Sequence, residues 1–427
     1  MTSEKERGPA SGIDHAASGT PFPVFNVGLL GHGTVGAAFA ELLPARAAQV
    51  EAITGLRPEL SGVLTRSRGD FDDILERSQL IVELIGGLEP ARDYVLRAMR
   101  AKRHVVTANK QLLSQHGEEL WATAREHNVQ LRFEAAVAGV VPVIRVLQES
   151  LAGAHVERLH GIVNGTTNFI LTEMARTGMT YAKALAEAQR LGYAEADPSE
   201  DVDGRDAAAK MAILARLAFD TPVSLDQVRY EGIEHIAPDD LEYARDLGLG
   251  LKLIGTAERI DGGLSVRVHP AFLYGDHPLA SVGGPFNAVT VESPAITEIT
   301  MSGPGAGGPQ TASAVLGDVI SAMIPPASTP PTSGELEIVA DIVSPFYLHL
   351  EVADRPGVLA AVAHVLGEHD VSVKSVVQKG LGESARLVMV MHPVLESKFF
   401  DALDRIAELD FMRAKPRAIR VIEEEFH

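Results

Sequence analysis

The segment Gly31-His32-Gly33-Thr34-Val35-Gly36, directly after the apolar run Val24-Phe25-Asn26-Val27-Gly28-Leu29-Leu30, constrains this chain more than any other feature. A glycine-spaced turn between a buried strand and a helix suits a dinucleotide. The first glycine permits the tight turn, the second lets the backbone approach a pyrophosphate, and the third lets the helix pack closely. The helix N-terminus then offers N–H groups and partial positive charge to the phosphates. Gly31, Gly33, Thr34, Val35 and Gly36 are therefore read as cofactor-binding. A glycine-rich turn without a ligand is the bland alternative, and the strand-to-helix context weighs against it. His32, inside the turn, reads as a neighbour of the cofactor and not as a catalyst.

Downstream, strands are expected over residues 60–66, 80–85, 104–108 and 129–137, and helices over 34–43, 91–102 and 118–127. Such alternation makes a Rossmann-like, doubly wound parallel sheet of α/β class. After a helix over 142–151, the texture changes to longer helices (169–176, 181–191, 206–219) followed by strands (251–260, 264–273, 286–292), an α+β domain, and then a helix over 310–323. Pro325-Pro326-Ala327-Ser328-Thr329-Pro330-Pro331-Thr332-Ser333-Gly334 reads as a stiff linker between two segments that each carry a complete core pattern. Beyond it, residues 346–352, 357–368, 371–378, 387–392, 398–409 and 418–423 spell the βαββαβ order of a ferredoxin-like domain. Residues 1–21, rich in Gly, Ser, Ala and charge, are expected to be a disordered lead. The resulting domains are 22–150 for nucleotide binding (completed by about 303–324), 151–302 for the second domain, 325–345 for the linker and 346–427 for the last.

The 427 residues suffice for about two to four domains. A formal charge of −19 without a basic patch excludes a general nucleic-acid binder, because phosphate contacts need clustered Lys and Arg. No apolar run approaches the roughly 20 residues of a membrane span. Residues 1–21 lack the apolar core of a secretory signal, so the expected compartment is the cytoplasm. The absence of cysteine removes disulfides, thiolate metal sites and thiol nucleophiles, and so disfavours dehydrogenases that form an acyl-thioester from an aldehyde.

Chemistry concentrates in Gly192-Tyr193-Ala194-Glu195-Ala196-Asp197-Pro198 and in Asp201-Val202-Asp203-Gly204-Arg205-Asp206-Ala207-Ala208-Ala209-Lys210, where carboxylates and one lysine surround a helix entry. Asp206 and Lys210 are four apart, on one helical face and within reach of each other. Taken alone, the pair reads as an ordinary surface ion pair, which is common and weak. At the end of the second strand, Arg66 and Arg68 stand where an NAD-preferring protein usually carries an acidic residue for the ribose hydroxyls. They suit the 2′-phosphate of NADP, although solvated loop arginines give the same pattern.

Taken together, Gly31 to Gly36, Val82-Glu83-Leu84-Ile85-Gly86-Gly87, Thr107-Ala108-Asn109-Lys110, Phe133-Glu134-Ala135-Ala136-Val137-Ala138-Gly139, Gly161-Ile162-Val163-Asn164-Gly165-Thr166-Thr167-Asn168, the Gly192 to Lys210 block and Gly303-Pro304-Gly305-Ala306-Gly307-Gly308 resemble the homoserine dehydrogenase family, over about residues 24–323. Val352-Ala353-Asp354-Arg355-Pro356-Gly357-Val358-Leu359 resembles an ACT domain, the small amino-acid-sensing module of that family. The resemblance implies an NAD(P)-dependent oxidoreductase that interconverts L-aspartate 4-semialdehyde and L-homoserine in threonine, methionine and isoleucine biosynthesis.

The resemblance also makes Lys210 the proton donor to the aldehyde oxygen, and an ammonium suits a developing alkoxide. Asp206 would orient that lysine or the substrate hydroxyl. Glu195 would bind the substrate's α-ammonium group, a charge-assisted contact, and Asp201 would help shape the pocket. Lys110, at the end of a parallel strand, becomes a second catalytic or cofactor-contacting lysine; its bland reading is a snorkelling strand-end lysine. Glu134, Val137, Gly139 and Val141 match a monovalent-cation site in which one carboxylate and several backbone carbonyls hold sodium. Val141 stands where the family often has isoleucine, and on residues alone 133–141 is a strand running into a turn. Gly303 and Gly305 are expected to bring backbone N–H groups to the nicotinamide or its ribose, or to serve as a hinge.

A homodimer through the second domain, doubled to a homotetramer by ACT pairing, and threonine as effector are further implications. The segment 44–59 is short, and no kinase domain is expected ahead of Val24. Two other readings stay open. One is a non-catalytic nucleotide- and amino-acid-binding sensor, against which Lys110 and Lys210 argue. The other is a different semialdehyde or hydroxy-acid dehydrogenase, against which Glu195 argues by asking for an ammonium on the substrate.

Overall fold

The computed structural model describes residues 22–324, 337–379 and 385–422. The expected lead over 1–21 and the proline-rich stretch 325–334 lie outside the described residues.

The chain opens with β1 (Val24–Leu30), α1 (Thr34–Thr54), β2 (Arg57–Leu64), α2 (Phe71–Arg77), β3 (Leu80–Glu83), α3 (Ala91–Arg100), β4 (His104–Thr107), α4 (Lys110–Glu126) and β5 (Leu131–Arg132). The five strands are parallel in the order β2-β1-β3-β4-β5. Strand order reverses between β1 and β3, and ligands of such sheets bind outside the strand ends there. β3 is buried throughout, as a strand covered on both faces must be.

Three local readings change. α1 does not end before Pro44 but runs on to Thr54, because Phe39, Leu43 and Val50 bury one stripe and packing outweighs one missing N–H. The strand expected over 129–137 stops at Arg132 and turns through Glu134–Ala136; Ala138 and Gly139, at φ 58° and 65°, then curl the backbone away. The helix expected over 142–151 is a single turn, α5 (Val143–Arg145), widening into a π turn over Val146–Ser150.

The second domain comprises β6 (Arg158–Ile162), α6 (Gly165–Thr177), α7 (Tyr181–Arg190), α8 (Ser199–Val202), α9 (Arg205–Phe219), β7 (Arg229–Tyr230), α10 (Pro238–Asp246), β8 (Leu249–Ile260), β9 (Gly263–Tyr274), β10 (Phe286–Ser293) and β11 (Thr297–Pro304). α11 (Gly308–Met323) then returns to the first domain, where Val315 and Val319 share a core with Phe39 and Leu43.

The last segment contributes β12 (Glu337–Ile338), β13 (Val343–Ser344), β14 (Phe346–Val352), α12 (Val358–Glu368), β15 (Val373–Lys379), β16 (Ala385–Met391), β17 (Val394–Leu395), α13 (Glu396–Ala407) and β18 (Arg417–Ile422). Its strands lie in the order β18-β14-β16-β15, the ferredoxin-like arrangement.

This segment is not a separate body on a stiff tether. One edge of β9 is filled successively by β12, β7 and β18, the last through Arg420↔Ala271, Val421↔Phe272 and Ile422↔Leu273. A single 11-stranded sheet therefore crosses both domains. Tyr347, Ile419 and Val421 join the core that contains Phe272, with the Tyr347 and Phe272 rings 5.0 Å apart. Arg420 bonds Glu396 through Nε and Nη2, each at 2.7 Å, and Glu231 through Nη1 at 2.6 Å. An open strand edge is an unpaired row of N–H and C=O groups, and β18 satisfies it. Among the described residues, no helix is long and apolar enough to cross a membrane.

Candidate active site

Three helix N-termini converge on one carboxylate. Asn109 caps α4 by accepting from Leu112 N–H at 3.1 Å, which sets Lys110 as the first residue of that helix. Asn164 caps α6 by accepting from Thr167 N–H at 2.8 Å. Gly204, at φ 90°, starts α9, and a Cβ there would lie 2.8 Å from the Glu231 carbonyl oxygen. Asp206 sits in the first turn of α9, where the helix dipole favours a negative charge. α4 and α9 run parallel, since Lys110 meets Asp206 at one end and Glu118 meets Arg216 further along. The Arg216 guanidinium also stacks 4.0 Å over the Trp121 ring.

Asp206 is 2% exposed, so the surface ion pair expected from spacing alone is a buried network. Its Oδ1 accepts from Lys110 Nζ, and its Oδ2 accepts from Lys210 Nζ at 2.7 Å and Asn164 Nδ2 at 2.8 Å. Lys210 Nζ donates again to the Val163 carbonyl at 2.8 Å. Asn164 Nδ2 also donates to Asp201 Oδ1 at 2.7 Å, tying the second carboxylate to the first. Burial alone would push the Asp206 carboxyl up, but the charges of Lys210 and Lys110 outweigh it and hold the group well below the usual carboxylate range. Lys110 is the mirror case: burial pulls it down, and the facing charge of Asp206, with Asp201 and Glu200 behind it, leaves it raised. Burial, followed by the charge of Asp206, pushes Asp201 up. The cluster therefore fixes two lysine side chains from different helices on one buried carboxylate.

The glycine turn matches its expected geometry. Gly31, at φ 98°, leaves no room for a side chain: a Cβ would lie 2.5 Å from the Leu84 carbonyl oxygen. A Cβ at Gly36 would lie 2.2 Å from the Gly31 carbonyl oxygen, so the third glycine lets α1 close on the turn itself. At Gly33 a Cβ would meet nothing within 4 Å, which leaves the backbone at the start of α1 open to a phosphate. Thr34 and Val35 follow as the first turn of α1. Beside the turn, the buried Glu83 accepts from Ile85 and Gly86 N–H at 2.7 and 3.1 Å and from Thr107 Oγ1 at 2.6 Å, locking the ends of β3 and β4 together. Arg66 and Arg68 are exposed just past β2. Asp70, an acid close to that strand end, accepts from Asp73 N–H to cap α2.

Glu195 lies on an exposed loop that Thr166 Oγ1 anchors by donating to the Tyr193 carbonyl at 2.7 Å. Among the described residues, no bond joins its carboxylate to the Asp206 network. Gly303, next to last in β11, lies opposite Asn287, and a Cβ on Gly305 would lie 2.4 Å from Asn287 Oδ1. Gly305 N–H already reaches the Pro285 carbonyl at 3.4 Å, so its role here is close packing beside Asn287.

Glu134 accepts Ile144 N–H at 2.9 Å and Arg145 N–H at 2.8 Å on its two side-chain oxygens, capping α5. The Val141 carbonyl accepts from Val143 N–H at 2.8 Å. The curl through Val137 and Gly139 presents its backbone against Pro304 and Gly305. Among the described residues, no group of three or more His, Cys, Asp or Glu forms a metal cluster. A cation at the curl would therefore draw chiefly on carbonyl oxygens, a donor type that suits a hard monovalent ion.

Two participants escaped the sequence reading. Asn164 belongs to a quoted motif, but only the fold shows its amide bridging Asp201 and Asp206. Asp318, a lone acid on the apolar α11, accepts Glu134 N–H at 2.7 Å. Burial raises Asp318 to about 6 and Glu134 to about 7.

Comparison with known proteins agrees with this architecture. Residues 31–134 match the homoserine dehydrogenase NAD-binding domain, residues 142–320 the homoserine dehydrogenase catalytic family, and residues 346–411 the ACT domain. The homoserine dehydrogenase of Corynebacterium glutamicum is 42% identical, covering 93% of this chain and 94% of its own. That of Bacillus subtilis is 37% identical, covering 92% and 98%. The crystal structure of the Thiobacillus denitrificans enzyme superposes with a TM-score of 0.89 at 36% identity, over 94% of this chain and 98% of that one. A hyperthermophilic archaeal homoserine dehydrogenase in complex with NADPH gives 0.62 at 27% identity, over 72% of this chain and 100% of that one. With an NAD-binding sheet, a catalytic domain and an ACT segment in one continuous match, the chain belongs to the homoserine dehydrogenase family.

Proposed function

We propose that the protein interconverts L-aspartate 4-semialdehyde and L-homoserine, with NADP preferred over NAD. The observation that carries this reading is the Lys110–Asp206–Lys210 network at the carboxyl end of the nucleotide-binding sheet. A bound nicotinamide would supply or accept the hydride. Gly31, Gly33, Thr34, Val35 and Gly36 would hold its pyrophosphate, and Gly303 and Gly305 would approach its nicotinamide or ribose. In the reducing direction Lys210 Nζ gives a proton to the substrate's aldehyde oxygen and takes one back in the oxidising direction. Asp206 keeps that ammonium in place, and Lys110 adds positive potential where the alkoxide charge develops. Glu195 binds the substrate's α-ammonium group, and Asp201 helps shape the same pocket.

Support for NADP comes from exposed Arg66 and Arg68, from the engagement of Asp70 in a helix cap, and from the NADPH bound by the archaeal relative. Further parts of the reading are a sodium ion at the curl of Val137, Gly139 and Val141 beside Glu134, threonine as effector of the ACT segment, a homodimer or homotetramer, and a cytoplasmic place in amino-acid biosynthesis. The domain limits 22–150, 151–302 and 346–427 serve as working boundaries. The test is absorbance at the reduced-nicotinamide band, with L-homoserine and either NAD or NADP. Homoserine-dependent reduction of NADP, faster than of NAD, is expected; no reduction of either would overturn the reading.

A further inference from the structure

Lys110 brings its ammonium to Asp206 on a flexible four-carbon stem, and among the described residues its Nζ bonds Asp206 alone. Where that ammonium lands therefore depends on how firmly the first turn of α4 is held.

The turn is held through Asn109. Its side-chain oxygen caps α4 by accepting Leu112 N–H at 3.1 Å, its Nδ2 donates to the Gly87 carbonyl at 2.6 Å, and its own N–H donates to Thr107 Oγ1 at 3.0 Å. The last two bonds lead back to one side chain. Glu83 Oε2 accepts from Thr107 Oγ1 at 2.6 Å, while Oε1 accepts from Ile85 and Gly86 N–H at 2.7 and 3.1 Å and so fixes the loop that ends in the Gly87 carbonyl. Gly86 and Gly87 adopt φ 77° and 70°, and a Cβ on either would meet nothing within 4 Å. These glycines thus answer to the left-handed backbone that turns the loop back, not to a lack of space. Glu83 and Thr107 are 0% exposed and Asn109 is 5%, so water does not compete for these bonds.

A carboxylate is the group that closes this ring. It accepts at both oxygens, and three donors point at Glu83. The Thr107 hydroxyl gives its one proton to Glu83 and keeps a lone pair for Asn109 N–H. Glutamine at position 83 would turn an amide N–H2 against the hydroxyl or against the two backbone N–H groups. Either way a buried donor loses its acceptor, at a cost of about 1–3 kcal/mol.

We propose that Glu83 and Thr107 are positioning residues, a buried clamp that grips Asn109 from both sides and so aims Lys110 at Asp206. Its consequence for turnover rests on the enzymatic reading above; the aiming of Lys110 does not.

The test compares the full chain with Glu83→Gln, Thr107→Val and Thr107→Ser. Lysine reactivity is read first, without cofactor or substrate, by limiting acetic anhydride and peptide mass spectrometry. In Glu83→Gln and Thr107→Val, Lys110 should label at least about threefold faster than in the parent, because a lysine released from Asp206 gives up its proton more readily. Lys210, held by Asp206 and the Val163 carbonyl, should label no faster than before. Turnover at saturating NADP and homoserine should fall roughly tenfold or more in the same two variants, the effect of a misplaced group. Thr107→Ser, which restores the hydroxyl, should return both readings toward the parent. The fall should vanish in a Lys110→Ala background, since residues that act through one another are not additive. Should Glu83→Gln fail to fold, the two Thr107 variants decide alone. The clamp is overturned by unchanged labelling of Lys110, by equal acceleration of Lys110 and Lys210, by Thr107→Ser behaving as Thr107→Val, or by losses that persist without Lys110. Labelling as expected in a protein that oxidises no homoserine supports the clamp and overturns the enzymatic reading instead.

Discussion

Lys210 Nζ lies 2.7 Å from Asp206 Oδ2, while Lys110 reaches the other oxygen of the same carboxylate from the nucleotide-binding domain. One buried anion thus fixes two ammonium groups that come from different domains. Lys210→Ala should cut turnover by roughly 10²- to 10⁴-fold, the contribution of a positioned acid or base. Cofactor affinity should hardly change, because the glycine turn at Gly31 to Gly36 makes no bond to Lys210. Steady-state rates and a fluorescence titration with reduced cofactor separate the two effects. Near-normal turnover would return the pair to a purely structural role.

Asp206 also links stability to pH, with a definite sign. Its carboxyl is held below its unfolded value by the two lysines. The stabilisation is therefore fully present above the unfolded carboxylate value of about 3.9 and drains away as pH falls below it toward the folded value. Asp206→Asn should lower stability at neutral pH by about 3 kcal/mol, since it leaves two ammonium groups facing each other without the anion. The melting point of the parent should fall more steeply than that of Asp206→Asn between about pH 5 and 3. Parallel curves would show that the pair is not the acid-sensitive element.

Deleting residues 325–427 removes β18 from the edge of β9 and uncovers Phe272. The truncated protein is expected to aggregate or melt well below the full chain, because an open apolar edge seeks another strand. Within the full chain, Arg420→Met leaves Glu396, 2% exposed, without its guanidinium. It should cost about 3–5 kcal/mol, the range for breaking a buried pair. Glu231→Gln, at a half-exposed partner, should cost under about 1 kcal/mol. Denaturant unfolding of the three proteins checks the order. A soluble, equally stable truncation would mean that the shared sheet contributes little.

What the sequence revealed and what it hid divide along a physical line. Gly31 and Gly36 were legible because their reasons are local: one needs a positive φ and the other a close approach within six residues. Asp206 and Lys210 were visible as a spacing but not as a buried site, because burial comes from α4 and α6, which lie distant in sequence. Asn164 stood inside a quoted motif with no role of its own; it caps α6, and its second task, bridging Asp201 and Asp206, needs three helix ends to meet. α1 ran past Pro44 because Val50 is buried, a tertiary fact that overrides a local breaker. β18 carried a strand signal, but nothing in its residues named β9 as its neighbour.

The choice of cofactor rests on the end of β2. Arg66 and Arg68 are exposed there, and Asp70, an acid of the kind that takes ribose hydroxyls, instead caps α2 by accepting from Asp73 N–H at 3.0 Å. Guanidinium groups recognise a phosphate through paired charged hydrogen bonds, and only NADP carries a phosphate on the adenosine ribose. Replacing both arginines by alanine should raise KM for NADP about tenfold or more, two lost charge-assisted bonds being worth at least about 1.5 kcal/mol. KM for NAD should move less than about twofold, and turnover at saturating cofactor should stay near the parent value, because neither arginine bonds Lys210 or Asp206. Equal losses with the two cofactors would show that these arginines do not read the phosphate, and that the preference is set elsewhere around the glycine turn.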